Sequence, residues 1–255
     1  MTAHQPHASE HRFDSNLLAT QWQRLHVLDC ESLPEDPAVL EGWVLFHAGD
    51  FEEAELAGLA AGRAGVSLAN RAATAYAALV ESSEKSRLDL FQNIHARASA
   101  HVTDEPDNPN AWFWQGYALW RYSQGIHVAR ALAQGLGTQI RAALEQALQL
   151  APGHVYAHLA LGGFDAEVID KVGPLVGAMT YGARAEAARW HFREALRMAP
   201  DSAAAMVAYA DALVTLEGEA RLTEATQLYE QAACITARDA VEGLWVELAR
   251  AGLAL

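Results

Sequence analysis

Basic residues are the first scarcity: 18 Lys and Arg stand against 32 Asp and Glu in 255 residues, a net charge of -14. Nucleic acid needs clustered cations to displace its counterions, and an anionic membrane surface would repel such a chain, so neither is an expected partner. Cysteine is nearly absent. Cys30 and Cys234 form no CxxC pair, which excludes a disulfide framework and a zinc site and predicts a reducing compartment. No run of 18 apolar residues occurs, so no membrane-spanning helix is expected. The start, MTAHQPHASEHRFD, has no basic stretch followed by an apolar one, so neither secretion nor lipoprotein export is expected and the predicted location is cytoplasmic. His4, His7 and His11 in that stretch read as incidental members of a disordered tail, residues 1–13. Catalytic signatures are missing too: no GxSxG turn, no Gly-rich phosphate loop after a strand, no HExxH and no evident Ser, His and Asp set. A non-enzymatic protein without a cofactor or a metal is expected.

β-branched residues are sparse, and proline is almost absent from the apolar-periodic runs. Ala, Leu, Glu, Gln and Arg dominate, and 51% of residues are hydrophobic, so the expectation is an all-α chain with an ample core. Asp14 or Ser15 can cap a helix carrying Leu18, Trp22, Leu25 and Leu28, which SLPEDP at 32–37 then breaks. In GWVLFHAGDFEEAELAGLAAG, Gly49-Asp50 makes a tight turn, after which Phe51, Ala54, Gly58 and Ala61 open a second helix.

Further along, one pattern repeats. LEQALQLAP ends at Pro152 with Leu144 and Ala147, FREALRMAP ends at Pro200 with Phe192 and Ala195, and YEQAACITA ends at Ala237 with Tyr229 and Ala232. A small residue at a fixed place lets helices approach closely, and the proline stops one helix before the next begins. In this register Pro106 ends an earlier helix. GDFEEA and the punctuation resemble the tetratricopeptide repeat, a helix-turn-helix unit that stacks into a superhelix. Trp112 and Gly116 fall at that family's tryptophan and glycine positions, as do His158 and Gly162, then Met206 and Ala210. Residues 63–105 fit only partly, because Tyr76 stands where a small residue belongs and VESSEKSR lengthens the connection. The resemblance implies an all-α, right-handed solenoid of about five repeat-like units. Its divisions would be a capping helix in 14–35, repeats in 36–238 and a second capping helix in 239–255.

The punctuation is spaced 46 residues from Pro106 to Pro152 and 48 from Pro152 to Pro200, against a family period of about 34. Two insertions account for the excess, around 121–137 and 164–183, and long apolar loops of this kind are usually functional or packed together. They are expected to cover or extend the concave face. RYSQGI and EVIDKVG followed by TYGA also resemble bacterial tetratricopeptide proteins similar to the T component associated with TRAP-type solute transporters. Those are envelope proteins, and the export signal they need is not seen here.

By the family's register, helix A would present Asn110, Phe113, Tyr117, Trp120 and Arg121 to the concave groove, and the next repeat would present Tyr156, Leu159, Gly163, Ala166 and Glu167. Phe113, Tyr117, Trp120, Arg121, Tyr156 and Glu167 are the candidate binding residues: aromatic rings give contact area, and Arg121 can hold a carboxylate. Packing of these rings against the insertions is the competing reading. Phe113 and Tyr117 occupy places where a chaperone-tail clamp needs Lys and Asn, which disfavours that ligand. His154 and His158 share a helix face with Asp165 one turn along, yet HVYAH lacks a catalytic glutamate, so His158 is expected in the core and His154 solvated. Asp165, Glu167, Asp170 and Lys171 read as salt-bridging residues. The expected function is an adaptor or assembly scaffold for a protein or peptide partner, with self-association through apolar insertion surfaces. The alternative is a receptor for a small acidic or apolar molecule, roofed by the insertions. An enzyme would need a water-excluded cluster of carboxylates or histidines.

Overall fold

Polar residues mark most helix starts. Asp14, Asp36, Ser83, Asn108, His127, His154 and Ser202 each accept a backbone N–H of the first turn through their side chains, satisfying donors that the helix itself leaves open. Pro37, Pro109 and Pro174 sit at first helical positions, where the missing N–H costs nothing. The computed structural model describes residues 12–254, and His4, His7 and His11 lie outside them. Every regular element among the described residues is helical. In order these are α1 (Ser15–Leu25), α2 (Pro37–Ala48), α3 (Phe51–Ala60), α4 (Val66–Ala75), α5 (Glu84–Asp104), α6 (Pro109–Gln124), α7 (Val128–Ala133), α8 (Leu136–Leu150), α9 (Val155–Val172), α10 (Pro174–Tyr181), α11 (Ala185–Met198), α12 (Ala203–Glu217), α13 (Leu222–Ala233) and α14 (Ala240–Leu253). Short 3-10 turns precede α4 and α13, and a π turn at Tyr76–Val80 follows α4. Gly49, at φ 97, closes α2 and lets α3 begin two residues later.

The chain divides into two compact units. The first runs through Pro152 and includes Arg238–Val241, and the second comprises Gly153–Ala237 and the chain from Glu242 onward. In the first, α1 packs on α2, α2 on α3, α3 on α4, α4 on α5, α5 on α6 and α6 on α8, while α2 and α6 each also touch α4. Its interior holds Leu18, Trp43, Phe46, Phe51, Leu68, Phe91, Ile94, Trp114, Ile140 and Leu144. In the second unit α9 packs on α10, α11 and α12, and α12 packs on α11 and α13. One core cluster there joins Ala203, Met206 and Val207 of α12 to Ala232 of α13 and to Val246 and Ala249 of α14.

The repeated small and large positions are core positions except Tyr229, which is half-buried. Leu144, Ala147, Phe192, Ala195 and Ala232 are all fully buried. A Cβ at Gly116 would lie 3.0 Å from Leu144 Cγ, and one at Gly162 would lie 2.7 Å from Phe192 Cε2. Glycine therefore permits the α6–α8 and α9–α11 approaches that the small-residue register implied. The segments expected as insertions hold short helices: α7 packs on α8, and α10 packs on α9. Their bounds shift, however, because α6 continues to Gln124 and α9 to Val172. Asp165, Glu167, Asp170 and Lys171 consequently lie on α9, not in a loop.

Candidate functional site

The interior of the first unit gathers its polar groups around the turn that follows α1. Cys30 there has φ 53, a left-handed conformation that costs a residue with a Cβ roughly 1 kcal/mol or more. On either side of it, Asp29 and Glu31 both engage groups of the interior. Asp29 Oδ1 accepts from His26 Nδ1 at 3.0 Å and from the Glu31 N–H at 3.3 Å, and its Oδ2 stands 3.6 Å from Arg71 Nε. Glu31 Oε2 accepts from the Ser67 hydroxyl on α4 and from Asn110 Nδ2 on α6 at 2.8 Å. Trp22 Nε1 donates to the Glu31 carbonyl at 2.8 Å.

Two histidines extend this network. His26 Nε2 and His47 Nε2 are 3.2 Å apart, and His47 Nδ1 donates to Asp239 Oδ2 at 2.7 Å. Asp29, His26, His47 and Asp239 thus form one continuous chain of close polar contacts. Aromatic rings case the chain: Trp22 stacks on His26 at 3.9 Å, and Trp43 meets His26 edge-on at 4.7 Å. Burial pushes the His47 imidazole below its usual range, against the opposing pull of Asp239. Burial, and secondarily the Asp29 charge, pushes the Glu31 carboxyl up to about 7, with Ser67, His26 and Arg71 acting the other way. Carboxylates and histidines thus cluster here with Asp29, His26, His47 and Asp239 all buried, the kind of grouping that the enzyme reading asked for.

From Glu31 two helical stripes run onward. Ser67, Arg71 and Thr74 share one face of α4, and Asn110, Trp114, Tyr117 and Arg121 share one face of α6, by their three- and four-residue spacing. The Arg71 guanidinium lies 5.2 Å from the Phe46 ring centre and 5.5 Å from that of Trp114, a cation–π arrangement. Arg121 Nη1 donates to the Tyr117 hydroxyl at 2.9 Å, and its guanidinium lies 5.4 Å over Phe91 and 5.8 Å over Tyr117. Thr74 Oγ1, Trp114 Nε1 and Arg121 Nε are buried without a hydrogen-bond partner in the chain.

The expected binding residues divide between the units. Tyr117, Trp120 and Arg121 are half-buried on α6, with Tyr117 edge-on to Trp120 at 5.8 Å. Phe113 is 2% exposed and packs on Trp114 at 4.6 Å, so its ring is core and not offered surface. Tyr156 and Glu167 are half-buried on α9 in the second unit, where Glu167 accepts from Lys171 one turn on. His154 is not solvated as expected. It is 0% exposed, and its Nδ1 caps α9 by accepting the Ala157 N–H at 3.1 Å. His158 is buried, with Nδ1 2.9 Å from His191 Nδ1. Among the described residues no group of three or more His, Cys, Asp or Glu is placed to hold a metal ion.

The cluster around Glu31 escaped the sequence reading, although one signal for it exists. Trp22 and His26, then Trp43 and His47, repeat a Trp-x-x-x-His spacing that puts an ionisable ring on an apolar stripe twice. A scan against protein-family models finds no match to this chain, and a search of curated proteins finds none either.

Proposed function

We propose that this chain is a non-enzymatic, tetratricopeptide-type binding protein that serves as an adaptor or assembly scaffold for a protein partner. The repeat reading is supported by alternate helices touching, α2 with α4 and α4 with α6 in the first unit and α9 with α12 in the second, as a two-layered stack of helix pairs requires. Glycine or alanine at Gly116, Gly162 and Ala210 supports the same register.

One observation carries the partner reading. The short helices that lengthen the repeats turn apolar side chains to solvent: Val128 and Leu132 on α7, and Leu175, Val176 and Met179 on α10, where Leu175 is 72% and Met179 81% exposed. Large apolar side chains exposed side by side on one short helix are the kind of surface that a partner covers. With a net charge of -14, the fitting partner presents an apolar centre ringed by basic residues. Leu175→Asp with Met179→Asp should abolish cross-linked co-purification of that partner from source cells while leaving thermal unfolding unchanged. Equal capture by the parent and variant chains overturns this reading.

A second reading, a small-molecule receptor, draws on the unpartnered buried donors of α4 and α6. A ligand-screening melt in which no compound raises the unfolding temperature would count against it.

A further inference from the structure

We propose that the α4–α6 face beyond Glu31 is a binding site for a small monocarboxylate with an apolar body, held by Thr74, Trp114, Tyr117 and Arg121. The proposal rests on the small-molecule reading above and names its ligand class.

The first turn of that face already holds a carboxyl group. Ser67 on α4 and Asn110 on α6 both donate to Glu31 Oε2, which sets the two helices level there. In the helix-pair stack proposed above, α4 and α6, which touch, would run the same way as alternate members of the series. Thr74 and Tyr117, each seven residues past that level, would then both stand about 10 Å further along at 1.5 Å per residue. Trp114 lies between the two levels, and Arg121 reaches back one turn to Tyr117.

Three polar atoms on this stretch, Thr74 Oγ1, Trp114 Nε1 and Arg121 Nε, are buried without a partner, and Thr74 and Trp114 are themselves more than nine-tenths buried. Native interiors seldom leave such groups unmet, because each forfeits its hydration without replacement. The chemistry of the set is one-sided. An indole N–H and a guanidinium only donate. A threonine hydroxyl can donate, and the Tyr117 hydroxyl, whose oxygen already accepts from Arg121, has its own proton to give. Two groups that only donate beside two hydroxyls that can donate favour a ligand group made of acceptors.

Charge points the same way. No carboxylate among the described residues pairs with Arg121, whose guanidinium is faced instead by the Phe91 and Tyr117 rings, whereas Arg71 on the neighbouring stripe has Asp29 beside it. A carboxylate satisfies both the donors and the charge, and a guanidinium can hold it with two parallel bonds. The half-buried Tyr117 and Trp120 rings give the remainder of the molecule an apolar surface.

The test uses the full 15N-labelled chain and four monocarboxylates of increasing apolar size, acetate, hexanoate, phenylacetate and indole-3-acetate, each beside its primary amide. The Trp114 Nε1–H resonance, assigned by its loss in Trp114→Phe, reports occupancy. The expected result is a saturable shift of that resonance with at least one acid, binding at least about tenfold weaker for the matching amide, and a similar loss in Arg121→Gln. Amides that bind as tightly as the acids leave the small-molecule reading standing and overturn the carboxylate. If no compound moves the resonance, and both variants melt at the parent temperature, the site and the receptor reading fall together.

Discussion

Glu31 is an acid enclosed by a hydroxyl, an amide and a second carboxylate, and its chemistry sets how the first unit responds to pH. Its carboxyl is raised to about 7 from the usual 4.5, so the folded state holds a proton that the unfolded chain releases. The stability this proton contributes is complete below pH 4.5 and is lost as pH climbs through about 7. Glu31→Gln keeps the neutral shape without the charge. Urea titrations should therefore find the variant equal to the parent near pH 4, more stable by about 1–3 kcal/mol at pH 8, and diverging between. An offset that stays constant with pH would show that the carboxyl does not titrate there. Asp239 tests the other end of the network. Its removal in Asp239→Ala leaves His47 Nδ1 buried and unmet, an expected loss of about 1–3 kcal/mol, and Asp239→Asn, which still offers an acceptor, should recover part of it in the same urea titration. Neither residue stood out in the sequence, where His26, Asp29, Glu31 and Asp239 look like ordinary surface polars.

Helices here are brought together by what is absent from their surfaces. Glycine at 162 lets α9 approach the Phe192 ring on α11, where any Cβ would intrude to 2.7 Å. Gly162→Ala should cost about 1–3 kcal/mol by overpacking, and Phe192→Leu in the same chain should restore part of it, a coupling that a double-mutant cycle measures. At helix starts the contribution is local. Asn108 accepts from the Asn110 N–H at 3.0 Å and the Ala111 N–H at 3.4 Å, so Asn108→Ala should lower stability by about 1 kcal/mol, read as a shift in the urea midpoint. The glycine was legible as spacing, because a close-packing small residue acts within one adjacent pair of helices. The ends of α6 and α9 were less legible, since Arg121 to Gln124 and Phe164 to Val172 continue helices whose register alone suggested loops. What keeps them helical is burial, seen in Tyr122, Phe164, Asp165 and Ala166.

Across the whole molecule the charge of -14 acts as self-repulsion that salt screens over about 10 Å at 0.1 M. The unfolding temperature should rise as sodium chloride goes from about 0.02 to 0.2 M, and the chain should stay in the supernatant when anionic phosphatidylserine vesicles are sedimented. Co-sedimentation at low salt would reveal a basic surface that the composition conceals. The described residues contain no helix long and apolar enough to cross a membrane, in keeping with the missing long apolar runs. By itself the sequence determined the all-α class, the start of α1 at Asp14, the turn at Gly49 between α2 and α3, and the large and small core positions of Leu144, Ala147, Phe192 and Ala195. All of these are written in periodicity, caps and prolines, which act over a few residues. Only the tertiary structure decided that Glu31 would be held by Ser67 and Asn110 from two different helices, and that His47 would meet Asp239 from 192 positions away. Such meetings depend on how whole helices superpose, and no local pattern encodes which polar side chains packing will bring together and strip of water.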